Sequence, residues 1–297
     1  GDAGAVERVI ALTRTSLTVR AIEALDQAQF APRCVDVLDP KTLRPDDITM
    51  GKISPACGRA VTKWWEMATD LAQRGKVAAI VKGPVNSEAI EQGGGPAQNA
   101  VEPGKTYLFL ITGPLRVAHL TDHIPLAQVL HEIKLERILK LLRLMHASLQ
   151  GWGVAAPRIG VAGFNPHAHG KEEEAEIIPA VMQAQREGIT ATGPVPADSL
   201  FRQCIEGQYD CVLAHYHDQG HIAVKTWGFA GNCALLLGAP YIRLSVAHGT
   251  AFDIAGRGIA DHASMHEAMR TAASLASGRG FPSPPLKGVL AASQGTR

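Results

Sequence analysis

Short, continuously apolar runs at residues 77–81, 107–112, 117–120, 159–164 and 211–214 alternate with stretches of helical periodicity. A strand that is apolar on both faces must be covered on both, which is how strands of a mostly parallel sheet read when helices flank it. The pattern predicts an α/β fold. The longest helical stretch, 126–149, carries an apolar face through Val129, Ile133, Leu135, Ile138, Leu142, Met145 and Leu149 before Gly151. Pro179 opens a second helix that Gly188 stops, and Asp261 and His262 open a third. Residues 93–104, with three consecutive glycines, read as a loop, and the Gly/Pro/Ser-rich tail after Ser277 is expected to be poorly ordered.

Composition removes several function classes. Twenty-nine basic residues against twenty-eight acidic ones give a formal charge of +1 with no basic block, so no nucleic-acid partner is expected and a small-molecule substrate is. No apolar run approaches the roughly 20 residues that cross a bilayer, and the first residues lack a signal-peptide pattern, so a cytoplasmic location and no membrane association are expected. Five dispersed cysteines without a C-x-x-C suit reduced, structural thiols.

The apolar runs end in unusual polar sequence: Lys82-Gly-Pro-Val-Asn86, Thr121-Asp-His123, Asn165-Pro-His167-Ala-His169 and His215-Tyr-His217-Asp218-Gln219. In open α/β sheets ligands bind beyond the carboxyl ends of strands, so these four ends are expected to converge on one site. One histidine at a strand end is usually a hydrogen-bonded structural residue; three such ends in one sheet point to a shared divalent metal. Imidazole with nearby carboxylate leaves Zn, Mn, Co, Fe and Mg undistinguished. His169, His215 and His221 flank these positions and could orient a ligand, or serve the fold alone. Pro103-Gly104-Lys105-Thr106 lacks the first glycine of a triphosphate loop and runs into a strand, and no G-x-G-x-x-G joins a strand to a helix.

Residues 245–261, SVAHGTAFDIAGRGIAD, resemble the adenosine-binding loop of the isocitrate and isopropylmalate dehydrogenase superfamily. Together with KGPVN, TDHIPL, FNPHA and HYHDQG, they make the chain resemble the 4-hydroxythreonine-4-phosphate dehydrogenase (PdxA-like) family over nearly all its length. That resemblance implies two α/β/α domains with mostly parallel sheets and a cleft between them. The boundaries expected are 1–92 with 228–297 for a nucleotide-binding domain, and 93–227 for metal, substrate and dimerisation. It implies NAD, bound through His248, Gly249, Thr250, Asp253 and Gly256, and one divalent metal on His123, His167 and His217 in sites shared by a homodimer. Lys225, Arg243 and Asn86 fall at substrate-binding positions, and Asp198 and Asp218 match acidic residues beside the metal.

Physically, Lys225 is a candidate for proton transfer against the commoner solvated lysine. Arg243 offers a planar fork for carboxylate or phosphate against an ordinary ion pair. Asp198 could equally cap a helix. The departures are the family's opening G-D-P-x-G-I-G-P-E segment, which has no counterpart at Gly1, a shortened loop after Asn86 without histidine, Ala234 where the family has asparagine, and Ala247 where it has aspartate. The implied reaction is oxidation of a secondary alcohol followed by decarboxylation of the β-keto acid, on a phosphorylated hydroxy acid. The alternatives are an unphosphorylated cis-dihydrodiol carboxylate, or a catalytically silent nucleotide-binding protein.

Overall fold

The computed structural model describes residues 1–96, 101–228 and 231–283, and divides into two compact units. The first comprises residues 1–77, 84–99 and 248–262. It holds α1 (Ala3–Thr13), the parallel pair β1 (Thr18–Ile22) and β2 (Cys34–Leu38), and α2 (Pro55–Gln73) packed on α3 (Ser87–Gln92). Helix α2 starts where its sequence says it should: Pro55 follows Ser54, whose hydroxyl accepts from Cys57 N at 3.3 Å. Gly58 is obligatory in the α2–α3 contact, since a Cβ there would lie 1.8 Å from the Ala89 carbonyl oxygen.

The second unit comprises residues 78–83, 100–247 and 263–297. Among the described residues, eight strands form its sheet: β3 (Ala79–Lys82), β4 (Tyr107–Thr112), β5 (Leu115–His119), β6 (Arg158–Ala162), β7 (Thr190–Val195), β8 (Cys211–Ala214), β9 (Cys233–Leu237) and β10 (Ile242–Val246). Their order is β3-β10-β9-β4-β5-β8-β6-β7. β9, β10 and the last helix fall in this unit because they are hydrogen-bonded to its sheet or packed on it; from the sequence they were grouped with the first unit. The fold is α/β, and the sheet is mixed, parallel at β3/β10, β5/β8, β8/β6 and β6/β7.

One transverse row of paired residues crosses all eight strands: Lys82, Ser245, Ala234, Leu110, Val117, Val212, Gly160 and Thr192. Paired residues share a face and successive residues alternate, so the row sorts the side chains of the sheet as far as the irregularity after Thr192, where Ala162 pairs with Val195. Its face packs on α7 (Ala197–Ile205) and α8 (His217–Trp227) through Leu200, Cys204 and Val224. The opposite face, with Phe109, Ile111, Leu235 and Leu244, packs on α5 (Leu135–Gly151), α6 (Ile178–Arg186) and α9 (Ala263–Ala276). Continuous apolar runs are thereby explained, because both faces are buried.

Two sequence expectations are corrected here. The 126–149 helix is broken into α4 (Leu126–Glu132) and α5, with Ile133 and Lys134 extended. Glu176, distant in sequence, accepts from Leu135 N at 2.7 Å and Lys134 Nζ at 3.1 Å, capping the new start. Asp198 is inside the first turn of α7 while Pro196 holds the N-cap position, so it is not a cap. Of the tail after Ser277, residues 278–283 are described: Gly280 N donates to Trp152 O at 2.6 Å and Phe281 packs against Phe109, Trp152 and Arg116. Residues 284–297, and 97–100 of the glycine-rich loop, lie outside the described residues.

Candidate active site

Strands β5, β8 and β6 are neighbours and mutually parallel, so their carboxyl ends form one edge of the sheet. Here stand His123 after β5, His167 after β6 and His217 after β8. The fourth expected end does not join them. Between β3 and β5 the chain direction reverses three times, at β10/β9, β9/β4 and β4/β5, which puts Lys82 toward the opposite edge. Asn86 belongs to the first unit, where its Oδ1 caps α3 by accepting from Ala89 N at 2.7 Å. Arg243, near the amino end of β10, does lie toward the histidine edge, because β10 runs against β5.

The histidine loops are cross-linked. Thr121 Oγ1 donates to His215 O at 2.8 Å, tying the loop of His123 to the loop of His217. Beyond this tie, one ligand atom each of Asp122, His123 and His217 lie within 4.8 Å of one another. His123 is 78% exposed and its ring centroid is 4.9 Å from that of His217. Among the described residues, Asp122 Oδ1 is buried without a hydrogen-bond donor, 3.1 Å from His123 Nδ1 but out of line for a bond. His217 Nδ1 donates to Asp218 Oδ1 at 2.6 Å, which leaves Nε2 as its ligand atom, and this bond to His217 holds the Asp218 carboxyl below its ordinary range. A hollow of about 260 Å³ opens on the cluster, lined also by Ile124, Leu126, Val129 and Tyr216. A carboxylate oxygen with no donor, beside two imidazoles, is a donor set suited to a divalent cation.

His167 is not part of this cluster. It is exposed, in a left-handed conformation (φ 57°), on a turn held by the buried carboxylate of Glu173, which accepts from Phe164 N and Asn165 N at 2.7 Å each. Asp122 was overlooked in the sequence, although its signal, a carboxylate directly before a strand-end histidine, was visible. Of the flanking histidines, His215 is structural: fully buried, it donates from Nε2 to Ala162 O at 2.7 Å, and burial lowers its pKa to about 4.

Lys225 is exposed in the last turn of α8, two turns from His217 and on the same stripe. Helix α8 covers the sheet face that carries Ala234 and, two residues from Ser245, Arg243. Burial lowers the pKa of Arg243 and also that of Lys82, on which the charge of Arg243 acts in the same direction. Asp198 is exposed in the first turn of α7. In the first unit, His248, Gly249, Thr250, Asp253 and Gly256 share one loop. His248 and Asp253 are exposed, His248 Nδ1 donates to Gly249 O at 3.0 Å, and Gly256 (φ 78°) packs so close to Met50 that a Cβ would lie 3.3 Å from it.

The family described as pyridoxal phosphate biosynthetic protein PdxA matches residues 1–272. A Novosphingobium aromaticivorans protein carrying a provisional 4-hydroxythreonine-4-phosphate dehydrogenase name is 46% identical over 283 residues, 95% of this chain and 86% of its own. The D-threonate 4-phosphate dehydrogenase of Cupriavidus necator is 40% identical over 94% of this chain and 87% of its own. The crystal structure of 4-hydroxythreonine-4-phosphate dehydrogenase from Klebsiella pneumoniae superposes with a TM-score of 0.82 at 36% identity, covering 93% of this chain and 89% of that one. A terephthalate 1,2-cis-dihydrodiol dehydrogenase from Burkholderia xenovorans gives 0.64 at 30%, covering 92% and 88%. With its sequence matched almost from end to end and its fold shared, the chain belongs to the PdxA family.

Proposed function

We propose that this protein is an NAD-dependent, divalent-metal-dependent dehydrogenase that oxidises the secondary alcohol of a small phosphorylated hydroxy acid, of the 4-hydroxythreonine 4-phosphate or D-threonate 4-phosphate kind, with decarboxylation of the β-keto acid. The observation that carries this reading is the convergence of Asp122, His123 and His217 at the carboxyl edge of β5 and β8. His123 and His217, with Asp122 behind them, would hold the metal, and His167 of a second copy would complete the set in a homodimer. The bound ion supplies Lewis acidity toward the substrate hydroxyl, and NAD supplies hydride acceptance.

The chain's own residues do the rest. Asp218 keeps the Nδ1 proton of His217 in place, so that Nε2 faces outward. Lys225 takes and returns the substrate proton, and Arg243 receives a carboxylate or phosphate in its planar fork. Asp198, an acid in the first turn of α7, is proposed to act beside the metal. The loop from His248 to Gly256 would take the adenosine of NAD, its exposed imidazole and carboxylate offering polar contacts. A dihydrodiol carboxylate is the second reading, supported by Ala234, which removes an amide the family places there.

The test is NADH formation with Mn²⁺, Zn²⁺ or Mg²⁺ on 4-phosphohydroxythreonine, D-threonate 4-phosphate and terephthalate cis-dihydrodiol, with His217→Ala as control. Metal-dependent turnover of a phosphorylated substrate, lost in the control, is expected. Turnover of the dihydrodiol alone would replace the substrate reading, and silence on all three would leave the binding-protein alternative.

A further inference from the structure

Four imidazoles form a file leading from solvent into the core of the second unit: His123, His217, His221 and His119. Successive ring centroids are 4.9, 3.6 and 4.8 Å apart. The middle contact differs from the others, because His221 lies flat on His217 at an interplanar angle of 15°. His221 is 9% exposed and sits one helical turn after His217 on α8. Its Nδ1 donates to His217 O at 3.0 Å, so the residue that stacks on the His217 ring is also tied to the His217 backbone.

The ring of His221 is backed in turn. His119, 1% exposed, donates from Nδ1 to Leu108 O at 3.3 Å and closes the space beneath it. A Cβ at Gly220 would lie 2.3 Å from His119 Nε2, so glycine at this place in α8 is what admits the His119 ring.

We infer that His221 is a positioning residue for the metal centre, its ring serving as a flat stop that fixes the rotation of the His217 imidazole. Rotation of the His217 ring about its Cβ–Cγ bond is opposed by two contacts. Asp218 holds Nδ1 on one side, and the stacked face of His221 bars the ring from swinging inward. What remains is an imidazole with Nε2 fixed outward before any ion arrives. Groups that orient a ligand imidazole typically contribute about 10- to 100-fold in metal affinity. The inference rests on the metal-centre reading above.

The test is Co²⁺ binding to the full chain, read by visible absorption and by competition with a chelator, for wild type, His221→Phe and His221→Ala. The aromatic variant keeps the flat stop and loses only the hydrogen bond; the alanine variant loses both. We expect His221→Ala to weaken Co²⁺ by about 10- to 100-fold and to alter its spectrum, and His221→Phe to restore affinity to within about threefold of wild type. Thermal melts of the metal-free variants establish that both are folded. Wild-type affinity in a folded His221→Ala variant overturns the inference while leaving the metal centre standing. Equal weakening in the phenylalanine variant also overturns it, assigning the effect to the hydrogen bond. Failure of wild type to bind Co²⁺ removes the metal centre itself.

Discussion

Glu173 and Asn165 are joined twice: Oε1 accepts from the Asn165 backbone at 2.7 Å, and Oε2 accepts from its side-chain Nδ2 at 2.7 Å. Glu173 is 1% exposed and lies in a π-helical turn, Glu173–Ile177, that aims its carboxylate back at the loop of His167. Burial opposes its charge, but the bonds from Asn165 and Phe164 outweigh it and leave the Glu173 pKa below its usual value. Glu173→Ala strands two backbone amides and one side-chain amide, and is expected to cost about 3 kcal/mol in urea unfolding. Glu173→Gln, which retains an acceptor, is expected to cost less than half of that. Equal losses would show that charge rather than geometry holds the turn.

Gly220→Ala should destabilise the protein, against the rule for helices. At an exposed helical site this change gains about 1 kcal/mol, but here the new methyl meets His119 Nε2 at 2.3 Å and Val117 Cγ1 at 2.8 Å. A net loss of about 2 kcal/mol is expected. The double variant with His119→Ala should recover part of it, and strict additivity of the two changes would refute the contact.

Lys225→Met separates chemistry from metal binding. Since Lys225 stands two turns from His217, Co²⁺ affinity should stay within about twofold of wild type, while kcat falls by about 10²- to 10⁴-fold, the range for a lost general acid or base. A kcat within tenfold of wild type would remove Lys225 from the proposed proton transfer.

Acid should weaken the tie between α5 and α6 only at low pH. Arg143 Nε and Nη2 each donate to Glu187 at 2.6 Å and Gln183 Nε2 donates at 3.0 Å, joining α5 to the end of α6. The Arg143 bonds, with Gln183 second, lower the Glu187 pKa from 4.5 to about 2. A carboxylate with a lowered folded pKa stabilises fully above its unfolded pKa and loses that contribution as the pH falls toward the folded one. The Tm deficit of Glu187→Gln relative to wild type should therefore be present at pH 7 and shrink between pH 4.5 and 2. A deficit independent of pH would mean that the ion pair contributes nothing.

What could be read from the sequence, and what could not, divides along physical lines. The strand-end histidines His123 and His217 were legible because an apolar run that stops at a polar cluster marks both a strand and its carboxyl end. The reversal that carries Lys82 away was not, since a strand buried on both faces has the same composition whether its neighbours run with it or against it. The break at Ile133 and Lys134 was hidden because its cap, Glu176, is distant in sequence. His221 is legible as a histidine flanking the strand ends, but the ring behind it is not, since only the packing of α8 on β5 brings His119 against it.

The unbroken row from Lys82 to Thr192 turns the sheet into a device that counts in twos. Adding or removing one residue within β9 or β10 would move Ala234 or Arg243 from the α8 face to the α9 face, whereas adding two would restore the side and merely shift the place. Between these two strands the turn 238–241 is where a residue can be gained or lost without that exchange of faces.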